Sequence, residues 1–177
     1  MSLEAFKKVF SRFSDNVLAV SPRFQKKIEE GKGFVVSRRF EGVASDAYVD
    51  IYFENPSGSG KKIHIEVVEV VSMAQAWVDI YRGNTVTASG TSIVPVNLNM
   101  ESNNSSIANA EYGGSYSTGE LISNTVCPGG SRIRAVGGAA EVGEMMIIPP
   151  GLNILVRVTN KSASATDLSV RILWWEE

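Results

Sequence analysis

The chain is poor in the residues that most enzymes rely on. It holds one cysteine, Cys127, and one histidine, His64, in 177 residues. A single cysteine excludes an internal disulfide and a thiolate zinc site. A Cys–His nucleophile would need Cys127 and His64 to meet, yet they fall in two different strand-like segments with no third member marked by spacing. No apolar run approaches the length of a membrane-spanning helix. The opening Met1-Ser2-Leu3-Glu4-Ala5-Phe6-Lys7-Lys8 lacks the apolar core of a secretory signal, so synthesis in a cytoplasm is expected. No phosphate loop is present either. Gly58-Ser59-Gly60-Lys61-Lys62 imitates one, but Asn55 stands where the upstream glycine is required and a strand, not a helix, follows. No calcium-loop spacing links Asp46, Asp50 and Asn55. The expected inventory is therefore no catalytic residue, no cofactor, no metal and no small-molecule substrate.

What is present is ordinary folded-protein composition, 44% apolar and 20% charged, with an uneven charge distribution. Residues 1–40 hold nine Lys/Arg against four Asp/Glu, whereas residues 41–177 hold eight against fifteen. This divides the chain into a basic leader, residues 1–33, and a mildly acidic body, residues 34–177. In the leader, Leu3, Phe6, Phe10 and Phe13 recur at helical steps, and Ser21-Pro22 followed by Phe24, Ile28 and Gly31 reads as a capped short helix. Two short helices are expected, across about residues 2–14 and 22–30.

From residue 34 the periodicity changes to that of strands. Ala47–Glu54, Lys61–Ser72, Gln75–Arg82, Thr85–Thr87, Ile107–Tyr112, Leu121–Val126, Arg132–Val136, Glu144–Ile148, Asn153–Thr159 and Leu168–Trp175 are β-type runs after Phe34-Val35-Val36. Asn55–Gly60, Gly83-Asn84, the Gly pairs at 113–114, 129–130 and 137–138, and Pro149-Pro150-Gly151 punctuate them. Within 61–72 the inward set shifts phase near Val67-Val68, which predicts a β-bulge. Residues 88–106 read as a polar connection. Short strands at roughly 8–14-residue intervals indicate an antiparallel β-sandwich, with a two-sheet jelly roll fitting the count better than an immunoglobulin domain. No helical pattern interrupts residues 34–177, which excludes parallel βαβ architectures.

Three sets of residues are candidates for contact or chemistry. The apolar face Phe6, Phe10 and Phe13 needs a surface to cover it. Trp174 and Trp175 are adjacent and so face opposite sides of a strand, which directs one to the core and leaves Trp175 for a surface or subunit interface. Trp77, Trp174 and Trp175 are the tryptophan candidates for a glycan platform, and Tyr112 and Tyr116, in a Gly/Ser-rich stretch, would carry a glycan contact together with the loop 97–106. Asp50, Glu66 and Asp79 are the only guesses for a hydrolase, and strand-borne acids of this kind are usually the wet face of a sheet. Asn103, Asn104 and Asn160 lie in N-x-[ST] triplets, where glycosylation is not expected without a signal peptide.

The stretches Tyr52–Lys61, Asp79-Ile80-Tyr81-Arg82, Pro95–Asn99, Ile148–Gly151 and Leu173-Trp174-Trp175-Glu176-Glu177 together resemble structural proteins of phage and archaeal-virus particles. Some of these are single jelly-roll capsid subunits, and others are trimeric capsid-decorating or fibre-head proteins. The resemblance covers about residues 44–177, and the leader lies outside it. It implies a non-enzymatic virion protein that forms a homo-oligomer, trimer or higher, and contacts other capsid proteins. The leader would then reach a neighbouring subunit, with nucleic acid or lipid as the lesser alternative for its basic face. The rival expectation is a carbohydrate- or receptor-binding module, such as a fibre tip.

Overall fold

The computed structural model describes residues 23–129 and 146–177. It contains one short helix, α1 (Arg23–Glu29), followed by strands β1 (Gly33–Val43), β2 (Tyr48–Glu54), β3 (Ile63–Ser72) and β4 (Ala76–Arg82). A middle group comprises β5 (Thr85–Ala88), β6 (Thr91–Ser92), β7 (Val96–Asn97), β8 (Asn109–Tyr112) and β9 (Ser115–Ser117). The chain returns through β10 (Glu120–Cys127), β11 (Met146–Ile148), β12 (Asn153–Asn160) and β13 (Thr166–Glu176). Among the described residues, no helix is long and apolar enough to cross a membrane.

The strands form an all-β antiparallel sandwich. One sheet has five strands in the order β11-β3-β13-β1-β7, the other six in the order β10-β4-β12-β2-β8-β6, and β5 and β9 form a small separate ribbon. The pairing is nested: β1 lies beside β13, β2 beside β12, β3 beside β11 and β4 beside β10. The chain thus runs outward through four strands and returns through four that pair with them in reverse order. Successive strands alternate between the two sheets, and the middle group sits at the far end of this excursion.

The core lies where the two sheets face each other. Alternate residues supply it: Ile51 and Phe53 from β2, Ala76, Val78 and Ile80 from β4, Ile154, Val156 and Val158 from β12, and Leu168, Val170, Ile172 and Trp174 from β13. Trp174 anchors one end, with Phe53 edge-on at 4.8 Å and Phe34 stacked at 6.0 Å between ring centres. Such aromatic contacts add about 0.5–1.5 kcal/mol each beyond the area they bury. The expected phase shift in β3 is a bulge at Glu66. Leu173 pairs with Val67 and Trp174 with Ile65, so Glu66 is skipped and the inward set changes parity.

Buried asparagines fix the loops. Asn55 donates through Nδ2 to the carbonyls of Lys61 and Ile148, both at 2.8 Å. Asn160 donates to the carbonyls of Val43 and Ser164 at 2.8 Å and accepts from the Ser162 amide at 2.9 Å. Each amide replaces backbone partners that irregular chain lacks, so leaving it unpaired is costly. Asn160 is completely enclosed, so its N-x-[ST] triplet is a structural pin.

The expected second helix is present, and Gly31, at φ 68°, ends it. A side chain on Gly31 would run into Ser102, so the residue is demanded by both conformation and space. The first expected helix, with Phe6, Phe10 and Phe13, lies outside the described residues, as does the expected strand 132–136. Two differences concern the strands. β1 continues through Ser37-Arg38-Arg39-Phe40 to Val43, because β13 supplies a hydrogen-bonding partner along most of its length. Residues 88–106, expected as a loop, contain β6 and β7, which are two-residue pairings onto the margins of both sheets.

Candidate functional site

The two outer faces of the sandwich differ in what covers them. On the five-stranded sheet, Trp175 faces outward by the alternation of β13, and the β3 bulge sets His64 opposite it, where its own chain encloses it. His64 stacks on it at 3.7 Å with the rings 5° from parallel, and the α1 cations Arg23 and Lys27 stand 4.4 Å and 4.6 Å from the ring centre. Glu177 joins the cluster, with its carboxylate 3.0 Å from His64 Nε2, 3.6 Å from Arg23 and 3.5 Å from Lys27. Trp175 has no exposed surface. The expectation that it sits at a subunit interface is therefore corrected. It is the seat on which α1 is fastened, and opposite-facing neighbours in a strand do not imply exposure when a helix covers the second side. Burial, together with the charges of Arg23 and Lys62, pushes the His64 imidazole below its ordinary pKa, and Glu177 opposes the shift.

Next to Trp175, Glu176 turns inward and is buried. Its Oε1 accepts from Ser106 Oγ at 2.6 Å, the Ile107 amide at 3.1 Å and Trp174 Nε1 at 3.2 Å. These bonds tie the middle connection to the end of β13.

The outer face of the six-stranded sheet carries a different arrangement. β2 presents Tyr48, Asp50 and Tyr52, and β4 presents Trp77, Asp79 and Tyr81. Between them β12 presents Thr159, Arg157 and Leu155. The registers set these in rows: Tyr48–Thr159–Trp77, Asp50–Arg157–Asp79 and Tyr52–Leu155–Tyr81. Two aromatic–acid–aromatic triplets thus flank a central arginine.

The central row is electrostatically unequal. Arg157 donates from Nε to Asp50 Oδ1 at 2.8 Å and from Nη2 to Asp50 Oδ2 at 2.7 Å, a two-pronged pair that is largely buried. Asp79 has no such bond among the described residues. Burial raises its carboxyl pKa, while the cross-strand Arg157 lowers it. Tyr48 lies over the guanidinium, with the arginine carbon 4.0 Å from the ring centre, and remains 55% exposed. Trp77 is 48% exposed, with Lys161 Nζ 4.6 Å from its ring and that lysine held by Asp46 at 2.7 Å. On the far side of β4, the register sets Asn124 beside Asp79 and Val126 beside Trp77.

The third row is closed. Tyr116, on β9, stacks on Tyr52 at 5.3 Å with the rings 3° from parallel, so the β5–β9 ribbon covers that end of the face. Burial first, then the charges of Glu54 and Glu111, pushes Tyr52 up to about 12. Burial and Glu111 push Tyr116 up as well. A side chain at Gly114 would collide with the Tyr116 hydroxyl, so the glycine permits this closure. Tyr112 lies elsewhere, edge-on to Phe40 at 5.9 Å and under Arg38 at 4.1 Å. Tyr112 and Tyr116 are therefore not brought together on one open surface. Both are engaged by their own chain.

The remaining candidates separate. Cys127 faces the core of the six-stranded sheet opposite Ala76, whereas His64 is on the outer side of the other sheet, so no dyad forms between them. Glu66 is at the β3 bulge, apart from Asp50 and Asp79. The last two flank Arg157 rather than each other. The cleft of about 750 Å³ between β10 and β11 is lined by Ile122, Ile147, Leu152 and Asn153. Its charged pair, Arg82 and Glu120, is mutually satisfied at 2.6 Å.

Reading residues one by one missed the three-by-three face. Its signal was nonetheless present as two runs, Tyr48-x-Asp50-x-Tyr52 and Trp77-x-Asp79-x-Tyr81, at the strand period of two. No family model matches the chain, and no curated protein matches it either.

Proposed function

We propose that this chain is a non-enzymatic virion structural protein, a jelly-roll capsid or capsid-attached subunit that self-associates. The observation that carries this reading is the nested pairing of β1–β4 with β13–β10. A jelly roll arises when a long antiparallel ribbon, four strands out and four back, winds so that alternate strands fall in opposite sheets. The orders β11-β3-β13-β1 and β10-β4-β12-β2, with alternate strands in opposite sheets, support that reading. Viral capsid proteins are a principal use of the architecture, alongside lectins and cupins. Helix α1 adds support, because it fastens the described end of the basic leader to the sandwich through Trp175. A leader anchored in this way suits an arm that reaches a neighbour in a homo-oligomer of three or more subunits.

Light scattering on the purified full chain, followed by negative-stain micrographs, tests the proposal. Trimers or larger closed assemblies are expected. A strict monomer at high concentration with no affinity for capsid proteins would overturn it.

A further inference from the structure

We propose that the open part of the six-stranded sheet's outer face binds a neutral oligosaccharide, stacked on Tyr48 and Trp77 and hydrogen-bonded by Asp79 and Asn124. This binding does not depend on the assembly reading. Two strand spacings separate the aromatic positions, roughly 10 Å, which spans more than one sugar ring. A pyranose offers C–H groups on one face and hydroxyls around its edge. It therefore needs flat apolar surface beside acceptors and donors at the same level, and this face supplies both. The first row is Tyr48–Thr159–Trp77, and the row one step along is Asp50–Arg157–Asp79 with Asn124 beyond it.

The surface is also set before any ligand arrives. Tyr48 rests on a guanidinium that is itself clamped by Asp50, and Lys161 stands against Trp77 while held by Asp46. Rings fixed in this way lose little freedom on binding. The charges select the class of sugar. Arg157 is saturated by Asp50, and Asp79 is left with an acceptor carboxylate, so the face favours hydroxyl donors and disfavours anionic sugars. The same carboxylate argues against a second protein copy as occupant, because covering it without a partner forfeits hydration that sugar hydroxyls would replace.

The test uses the full chain on an array of neutral glucose-, galactose- and N-acetylglucosamine-based oligosaccharides beside sialylated ones, with titration calorimetry of the hits. Trp174 and Trp175 are buried, so iodide quenching of tryptophan fluorescence reports Trp77. Neutral oligosaccharides should bind and shield Trp77 from iodide. Trp77→Ala should lower affinity by about tenfold or more, as for a central aromatic anchor. Asp79→Asn and Asn124→Ala should each lower it by a smaller factor, and Tyr112→Ala should leave it unchanged. Thermal unfolding of each variant confirms that it is folded, and the exposed Asn124 change provides a second reading should Trp77→Ala unfold. A blank array, binding of sialylated glycans alone, or affinity indifferent to Trp77→Ala and Asp79→Asn would overturn the proposal. A fall in oligomer mass on Trp77→Ala without any glycan binding would overturn it too, by making the face a subunit contact, and would leave the assembly reading intact.

Discussion

Two outward tryptophans, one on each sheet, meet similar neighbours and different fates. Trp175 and Trp77 both have positively charged side chains against their rings. Trp175 is sealed by α1, His64 and the end of β13, whereas Trp77 keeps 48% of its surface open. The first is therefore a fastening, where aromatic area is spent on holding the helix down. The second is held in place but uncovered. Cation–aromatic contact alone does not separate structure from site. What separates them is whether the chain supplies the cover.

The contrast can be broken most forcefully at the sealed side. Trp175→Ala should destabilise the fold by about 3–5 kcal/mol, the usual result of emptying a fully buried aromatic position. Chemical denaturation should show it, with the protection of α1 amides from hydrogen exchange lost as well. On the open face, Arg157→Met should cost about 3 kcal/mol. It leaves the buried Asp50 carboxylate without its partner, and the double variant Arg157→Met with Asp50→Leu should recover most of the loss.

Protonation sharpens the comparison further. The His64 pKa is lowered in the folded state, so the unfolded chain binds the proton more readily. The contribution of His64 is therefore complete above its unfolded value of about 6.5 and is lost as pH falls through the lower folded value. Stability measured between pH 7 and pH 4 should fall less steeply in His64→Asn than in the parent. At the alkaline end the sign reverses. Tyr52 is raised to about 12, so its contribution is whole below about pH 10 and disappears as pH rises through 12. An ultraviolet titration should show late-ionising tyrosine, reduced by Tyr52→Phe. The smallest effect belongs to Trp77→Ala, which should change stability by about 0.5 kcal/mol or less, as for surface positions generally.

Much of the fold was legible because strand period and turn chemistry are local. The shift at Val67-Val68 announced the bulge, Gly31 announced the end of α1, and Asn55–Gly60 announced a turn. What could not be read were relations set by distant pairing. The length of β1 depends on β13, more than a hundred residues later. Thr91-Ser92 and Val96-Asn97 become strand only because a sheet margin lies beside them. The burial of Trp175 depends on a helix whose own sequence shows merely two apolar side chains, Phe24 and Ile28. The open face failed to emerge for the same reason. Period two shows that Asp50 and Asp79 point outward, but not that Arg157 stands between them.

The reverse-order pairing also has a consequence for how the chain is made. Of the described strands β1 leaves the ribosome before the others, yet its main partner, β13, emerges after all of them. During synthesis β1 and β2 must therefore wait for these partners, with their apolar alternate residues uncovered, until β12 and β13 have emerged. Contacts this remote in sequence make folding slow and leave the nascent chain open to mispairing with its neighbours. High-level expression should accordingly benefit from slower translation or a holding chaperone, and loss of even the last few β13 residues should deny β1 its closing partner.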